Sequence, residues 1–384
     1  MGTEIRATYK IVTPMFLGDG DSSQLANTIR PPAVKGALRF WWRALAWARH
    51  AHHDQGQTLK AIHREEAALF GAAADTETGG GQGAFILRVT DTEGMPKASR
   101  ISASGGQGYL LGQGLYHFRD GVNRDSFSHG TFTVVLRIRP GASDEQQRQL
   151  LDALLLFGLL GGLGSRVRRG WGSVSITKLE ADLENFHAPS SRDDYIKQLR
   201  GLIAETRECK PLPSYTALSS HSRIDISKRD SSAMDLLTYA GEEMQLYRSY
   251  GRNGKVNGKA AEKNFKDDHD LIFNALSGNK SNNVLPQRIV FGLPHNYFFS
   301  STKKKMDIAP DLNGGSRRAS PLLMHVHEVD PRQYLLVQTL IPATFLPQGA
   351  QVKRGNRLVP AGDPKWQVLH EYLDRFPGRE GLFS

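Results

Sequence analysis

Residues 131–178, TFTVVLRIRPGASDEQQRQLLDALLLFGLLGGLGSRVRRGWGSVSITK, hold a strand, a helix, a glycine run and a second strand in unbroken succession. Through 131–139, Phe132, Val134, Leu136 and Ile138 alternate with Thr133, Val135, Arg137 and Arg139, the period of two that a half-buried strand shows. Ser143 and Gln146 form a capping-box pair that opens a helix over 144–160, whose apolar residues include Leu150, Leu151, Leu154, Leu155 and Phe157. Past the glycines, Val174 and Ile176 resume strand alternation.

Toward the N-terminus the same two periods repeat. Residues 4–12 alternate Ile5, Ala7, Tyr9 and Ile11 with Arg6, Thr8 and Lys10, which predicts a half-buried strand. Residues 33–49 turn helical, with Val34, Leu38, Trp41 and Leu45 on one face, and a second helical segment over 58–70 stops at Gly71. Residues 84–90 are again a strand. The order over 4–178 is β-α-β-β-α-β, which predicts a ferredoxin-like (RRM-like) α+β unit with two helices on one face of an antiparallel sheet. A glycine-rich insertion at 100–130 is too long for a hairpin turn and reads as a functional loop.

Toward the C-terminus, residues 181–213 are polar and proline-bearing and read as a linker with one short helix near 192–206. A strand around 215–226, a helix near 232–249, strands at 321–329 and 333–341 and a helix at 363–376 predict a second β-α-β-β-α unit. Its last strand is not apparent. The expected division is 1–180, a linker at 181–213, and 214–384 with a polar insertion at 251–283, two tandem ferredoxin-like domains in all.

A chain of 384 residues suits two domains, and its net charge of +10 favours a polyanionic partner. The single cysteine, Cys209, excludes an internal disulfide and a cysteine-based zinc site, and fits a reducing cytosol. No run reaches the ~18 apolar residues of a membrane helix, so a cytoplasmic protein without a membrane partner is expected.

Gly158, Gly161, Gly162 and Gly164 precede Arg166, Arg168, Arg169 and Trp171. Glycines let another backbone approach, and loop amides with three guanidiniums suit phosphate; a plain helix end and turn is the other reading. The run has neither a Walker Gly-Lys-Ser/Thr nor G-x-G-x-x-G. On the helix at 33–49, Lys35, Arg39 and Arg43 share one sector with Trp42, either a solvated face or a surface where Trp42 stacks on a base. Asp19 and Asp21 suit either a divalent metal for phosphoryl chemistry or turn capping. His50, His52 and His53 read as a solvated helix end without a carboxylate partner, and His325 and His327 as structural. Lys303, Lys304 and Lys305 read as a solvated loop, whereas Arg317 and Arg318 place two bidentate donors at a strand entrance.

TPMFLGDGDSSQ at 13–24, IRPPAVKGALRFWWRAL at 29–45, the glycine loop, FGLP at 291–294 and RRASPL at 317–322 together resemble the RAMP superfamily of CRISPR effector proteins, in particular those of the type III-B (Cmr) complex. The resemblance implies antiviral defence, other RAMP subunits of the Cmr complex as neighbours, and CRISPR RNA near its 3′ end with paired target RNA as ligand. A non-catalytic subunit without a cofactor is expected, and on the residue patterns above Arg30, Lys35, Arg39, Trp42, Arg43, Gly161, Gly162, Gly164, Arg166, Arg168, Arg169, Trp171, Arg317 and Arg318 are the expected RNA-binding residues. In the family another subunit cleaves target with an acidic residue of the first loop. Asp19 and Asp21 occupy the comparable loop here, which keeps a RAMP endoribonuclease as the alternative.

Overall fold

The alternation at 4–12 becomes strand β1 (Glu4–Ile11) in a computed structural model that describes residues 3–18, 28–51, 54–73, 80–92, 95, 99–182, 184–278, 283–312, 315 and 317–383. Helices α1 (Pro31–His50) and α2 (Gln55–Phe70) follow, then β2 (Phe85–Thr90), α3 (Gly105–Leu111), β3 (Thr131–Ile138), α4 (Asp144–Leu160) and β4 (Val174–Ala181). The strands pair antiparallel in the order β2-β3-β1-β4, the arrangement of a ferredoxin-like sheet, with a two-residue strand, Glu184–Asn185, added at the edge.

Burial explains the assembly. Ile5, Ala7, Tyr9 and Ile11 are buried, and the Tyr9 ring meets Phe132 and Phe157. The Tyr9 hydroxyl donates to the Leu154 carbonyl 3.0 Å away, so α4 is pinned to β1. Both halves of the Ser143–Gln146 capping box form, and Asp54 caps α2.

The second half runs α5 (Arg192–Leu202), α6 (Ala204–Glu208), β5 (Arg223–Asp230), α7 (Ala233–Arg248), α8 (Lys266–Leu276), β6 (His295–Phe299), β7 (Lys304–Asp311), β8 (Leu322–Asp330), β9 (Gln333–Leu340), β10 (Gln351–Arg354), β11 (Arg357–Pro360), α9 (Gln367–Asp374) and β12 (Glu380–Gly381). Strands β8-β9-β5-β12 form a second antiparallel sheet in the same ferredoxin-like order, so β12 supplies the strand missing from the sequence pattern. It is two residues long and pairs with Ile226 and Asp225, too short to alternate. The first strand of this sheet begins at Arg223 rather than 215. Residues 217–219 mimic a strand by burial alone, and a Ser219–Ser222 turn ends them.

Strands β6-β7-β10-β11 form a further four-stranded sheet over its own core of Ile272, Tyr297, Phe299, Ile308 and Val352. Lys304 and Lys305, expected in a solvated loop, open β7 instead, where they pair with Phe299 and Phe298. The 100–130 insertion also has structure. Its α3 packs on α7, and a hairpin pairs Tyr116–His117 with Gly121–Val122. Gly106 and Gly241 let the helices touch, since a Cβ on Gly241 would stand 2.0 Å from the Gly106 carbonyl oxygen.

Candidate nucleic-acid interface

The glycine run is a joint between the two ferredoxin-like units. Three stitches tie it to the segment after β1: Ser165 N–H donates to the Phe16 carbonyl, Gly172 N–H to Pro14, and Thr13 Oγ1 to the Gly170 carbonyl. Gly172 has φ +69° and a Cβ there would lie 2.0 Å from the Leu163 oxygen, so no other residue fits. From the same run, Ser173 Oγ accepts the Val326 N–H and Ser175 Oγ the Glu328 N–H, which satisfies the open edge of β8 with hydroxyls of the first sheet.

This corrects part of the expectation. The amides of Leu163, Ser165, Arg169, Gly170 and Gly172 are engaged by protein carbonyls and do not form an anion cradle. Gly161 and Gly162 are buried; a Cβ on Gly161 would meet the Trp41 indole nitrogen at 2.5 Å. Trp171 is fully buried against Phe16, and Trp42 is 1% exposed with its indole N–H on Gln149, so neither offers a face to a base. Helices α2 and α4 cover Trp42, which the wheel of α1 alone cannot show. Gly164 is exposed.

The guanidiniums survive as a charge cluster. Arg166 donates to the Leu111 and Gln113 carbonyls, Arg168 to Ser320 at 2.7 Å, and Arg169 to Leu110 at 3.2 Å. Arg318 reaches Phe345 O at 2.6 Å, and Arg317 is exposed beside it. Carbonyls fix direction without cancelling charge, and no described carboxylate lies within ion-pair reach of these five. Burial, with Arg318 nearby, pushes the Arg168 guanidinium down to about 10; burial, with Arg248 nearby, does the same to Arg169. Burial and Arg317 lower Arg166. Like charges gathered with no described acid beside them set up a positive potential at the surface they reach.

FGLP and RRASPL meet here. Leu293 and Arg318 exchange both backbone hydrogen bonds, at 2.8 and 3.0 Å, and Arg168 binds the next turn at Ser320. Arg168 also lies 5.2 Å over the Phe40 ring of α1.

The α1 stripe faces away from this cluster. Glu66 of α2 holds Arg43 by two bonds of 2.5 and 2.6 Å and Arg39 at 3.2 Å, so Arg43 is a clamped structural ion rather than a free donor. Lys35 and Arg39 stand over Phe85 and Phe70 on the β2 side. Arg30 precedes the first turn and donates to the Gly18 carbonyl. Glu66 lies 23 residues from Arg43, beyond any spacing signal.

Asp19 and Asp21, and His52 and His53, lie outside the described residues. His50 does have a carboxylate, Glu65, at 2.8 Å. His325 and His327 are buried between α4 and the Tyr195 ring, as structural residues. Among the described residues no His/Cys/Asp/Glu group suits a metal, and no helix is long and apolar enough to cross a membrane.

Residues 8–175 match the RAMP superfamily model. The chain is 24% identical over 340 residues to the CRISPR system Cmr subunit Cmr1-1 of Pyrococcus furiosus, spanning 83% of this chain and 82% of that one. The fold is similar to the crystal structure of Cmr1 from Pyrococcus furiosus, with a TM-score of 0.56 and 19% identity over 99% and 98% of the two chains. It is also similar to a chain in a cryo-EM structure of the type III-B Cmr-beta complex bound to cognate target RNA, with a TM-score of 0.53 and 14% identity over 98% and 99%.

Proposed function

We propose, from the premise that this chain carries a RAMP superfamily region over residues 8–175, that it is a non-catalytic RNA-binding subunit of a type III-B CRISPR effector complex. Its ligand is the 3′ region of CRISPR RNA with the paired target strand, and its neighbours are other RAMP subunits. The observation that carries the reading is the cluster of Arg166, Arg168, Arg169, Arg317 and Arg318 with no described acid to neutralise it. Guanidiniums fixed by backbone carbonyls present their remaining N–H groups without further ordering, which suits backbone phosphates of any sequence. In this reading residues 1–180 and 214–384 act as one gripping body.

Arg317→Glu tests this, because that side chain is exposed and its removal leaves the joint intact. Binding of single-stranded RNA should weaken, and its salt dependence should flatten by roughly 0.7 for each phosphate no longer neutralised. Unchanged affinity and slope refute the assignment. The alternative, a RAMP endoribonuclease using Asp19 or Asp21, is met by incubating the chain with labelled guide and target RNA with and without Mg²⁺. Cleavage abolished by Asp19→Ala overturns the non-catalytic reading.

A further inference from the structure

A cleft of about 630 Å³ opens on the β2 side of α1, away from the arginine cluster. Lys35 and Arg39 enter it from α1, and Arg139 enters from the end of β3. Gly71, Gly81 and Gly83 make a wall of bare backbone. A Cβ on Gly83 would stand 2.5 Å from the Leu69 carbonyl oxygen, so that wall tolerates no side chain. Across from it, a Cβ on Gly36 would meet nothing within 4 Å, so the helix surface stays open. Among the described residues no acid lines the cleft.

We propose that this cleft is a phosphate-binding subsite for one nucleotide of a single RNA strand, with Arg139 as its third cation. The inference rests on the RNA-binding reading above and adds a second, separate contact to it. Lys35 Nζ lies 5.8 Å over the Phe85 ring and the Arg39 guanidinium 5.5 Å over Phe70, so ring faces bias both cations toward the cleft. Arg39 is further tethered to Glu66 at 3.2 Å and to the Gly71 carbonyl at 3.2 Å. Arg139 has a buried Nε with no hydrogen-bond partner among the described residues. Burial first, and the neighbouring Arg39 second, disfavour the charged form of Lys35. The Arg139 guanidinium, the Lys35 ammonium and the Arg39 N–H groups not taken by Glu66 and Gly71 suit a tetrahedral phosphate, which accepts from three directions; a carboxylate accepts in one plane. The volume is in the range of small-ligand sites and fits a nucleotide rather than a helix.

The test uses the full chain and a fluorescein-labelled 20-nucleotide oligouridylate, with affinity measured from 50 to 300 mM KCl. Arg139→Gln and, independently, Lys35→Gln should each weaken binding roughly 10-fold at 100 mM KCl and flatten the salt slope. On wild-type protein, AMP and inorganic phosphate should compete while adenosine does not. Competition by adenosine alone, or unchanged affinity in both variants with their melting temperatures intact, overturns the subsite. If Arg317→Glu weakens RNA binding and these two do not, the arginine cluster stands and the cleft falls. The reverse pattern keeps the cleft and removes the cluster. Loss of assembly into the effector complex at unchanged RNA affinity makes the cleft a protein-docking face and also overturns the proposal.

Discussion

Lowering the pH from 7.5 to 5.5 should loosen the joint between the two units through His325 and His327. Both rings are buried, at 2% and 0% exposure, and no described acid faces them: Ser175 and Tyr195 flank His327, and the backbone at Gly158 and Gly161 offers the favourable contacts to the charged forms. Burial pushes the His325 imidazole down to about 3, and burial with His325 nearby holds His327 well below the usual histidine range. In the unfolded chain each takes up a proton near pH 6.5. The unfolded state therefore binds more protons between pH 6.5 and 3, and stability falls as pH drops through that window. With its folded value near 3, His325 withdraws RT ln(1 + 10), about 1.4 kcal/mol, at pH 5.5 and almost nothing at pH 7.5. His327, lowered in the same direction, adds to that loss, so the pair withdraws at least about 1.4 kcal/mol, a sizeable part of an ordinary domain's stability. His295 and His370 are lowered by burial as well and add in the same direction, so the wild-type change alone does not isolate the pair. The assay is urea unfolding of wild type and of a His325→Gln/His327→Gln variant at both pH values. The variant should lose at least about 1.4 kcal/mol less than wild type on acidification. Equal losses in the two proteins refute the reasoning.

Gly172→Ala forces a side chain onto the Leu163 carbonyl at positive φ and should cost about 2–4 kcal/mol, read as a lowered urea midpoint with an unchanged m-value. Gly241→Ala should separate α3 from α7 and expose the 100–115 segment to limited proteolysis, while the β8–β9 core stays protected. Glu66→Gln releases Arg39 and Arg43 from their clamp. Thermal stability should fall by about 1–3 kcal/mol, while RNA affinity at low salt rises and its salt slope steepens, because two guanidiniums gain an unneutralised charge.

Outside its insertion the first unit was legible because each of its main strands is long enough to alternate and α1, α2 and α4 carry a cap or a stripe. Glu380–Gly381 completes the second sheet with two residues, below any period. The β6-β7-β10-β11 sheet escaped for a related reason: β6 has five residues and β10 and β11 four each, and β7 opens with two lysines that read as loop. At the candidate interface, residue type singled out the arginines as a group, yet it could not tell Arg43, clamped by Glu66, from Arg317, which has no described acid beside it. Trp42 shared the sector of its arginine neighbours, and only the packing of α2 and α4 shows why it faces inward. Arg139 ends a strand and joins Lys35 and Arg39 only once β3 and α1 have packed, so nothing local pointed to it.

The crossing of α3 over α7 orders events during synthesis. Gly106 meets its partner at Gly241, 135 positions later in the chain, so residues 105–111 leave the ribosome long before their docking surface exists. The first sheet can assemble on its own strands, but its insertion must wait, with Leu110 and Leu111 uncovered until α7 emerges. A nascent chain stalled between these points should recruit chaperones, and truncation before residue 233 should yield a protein that aggregates through this segment.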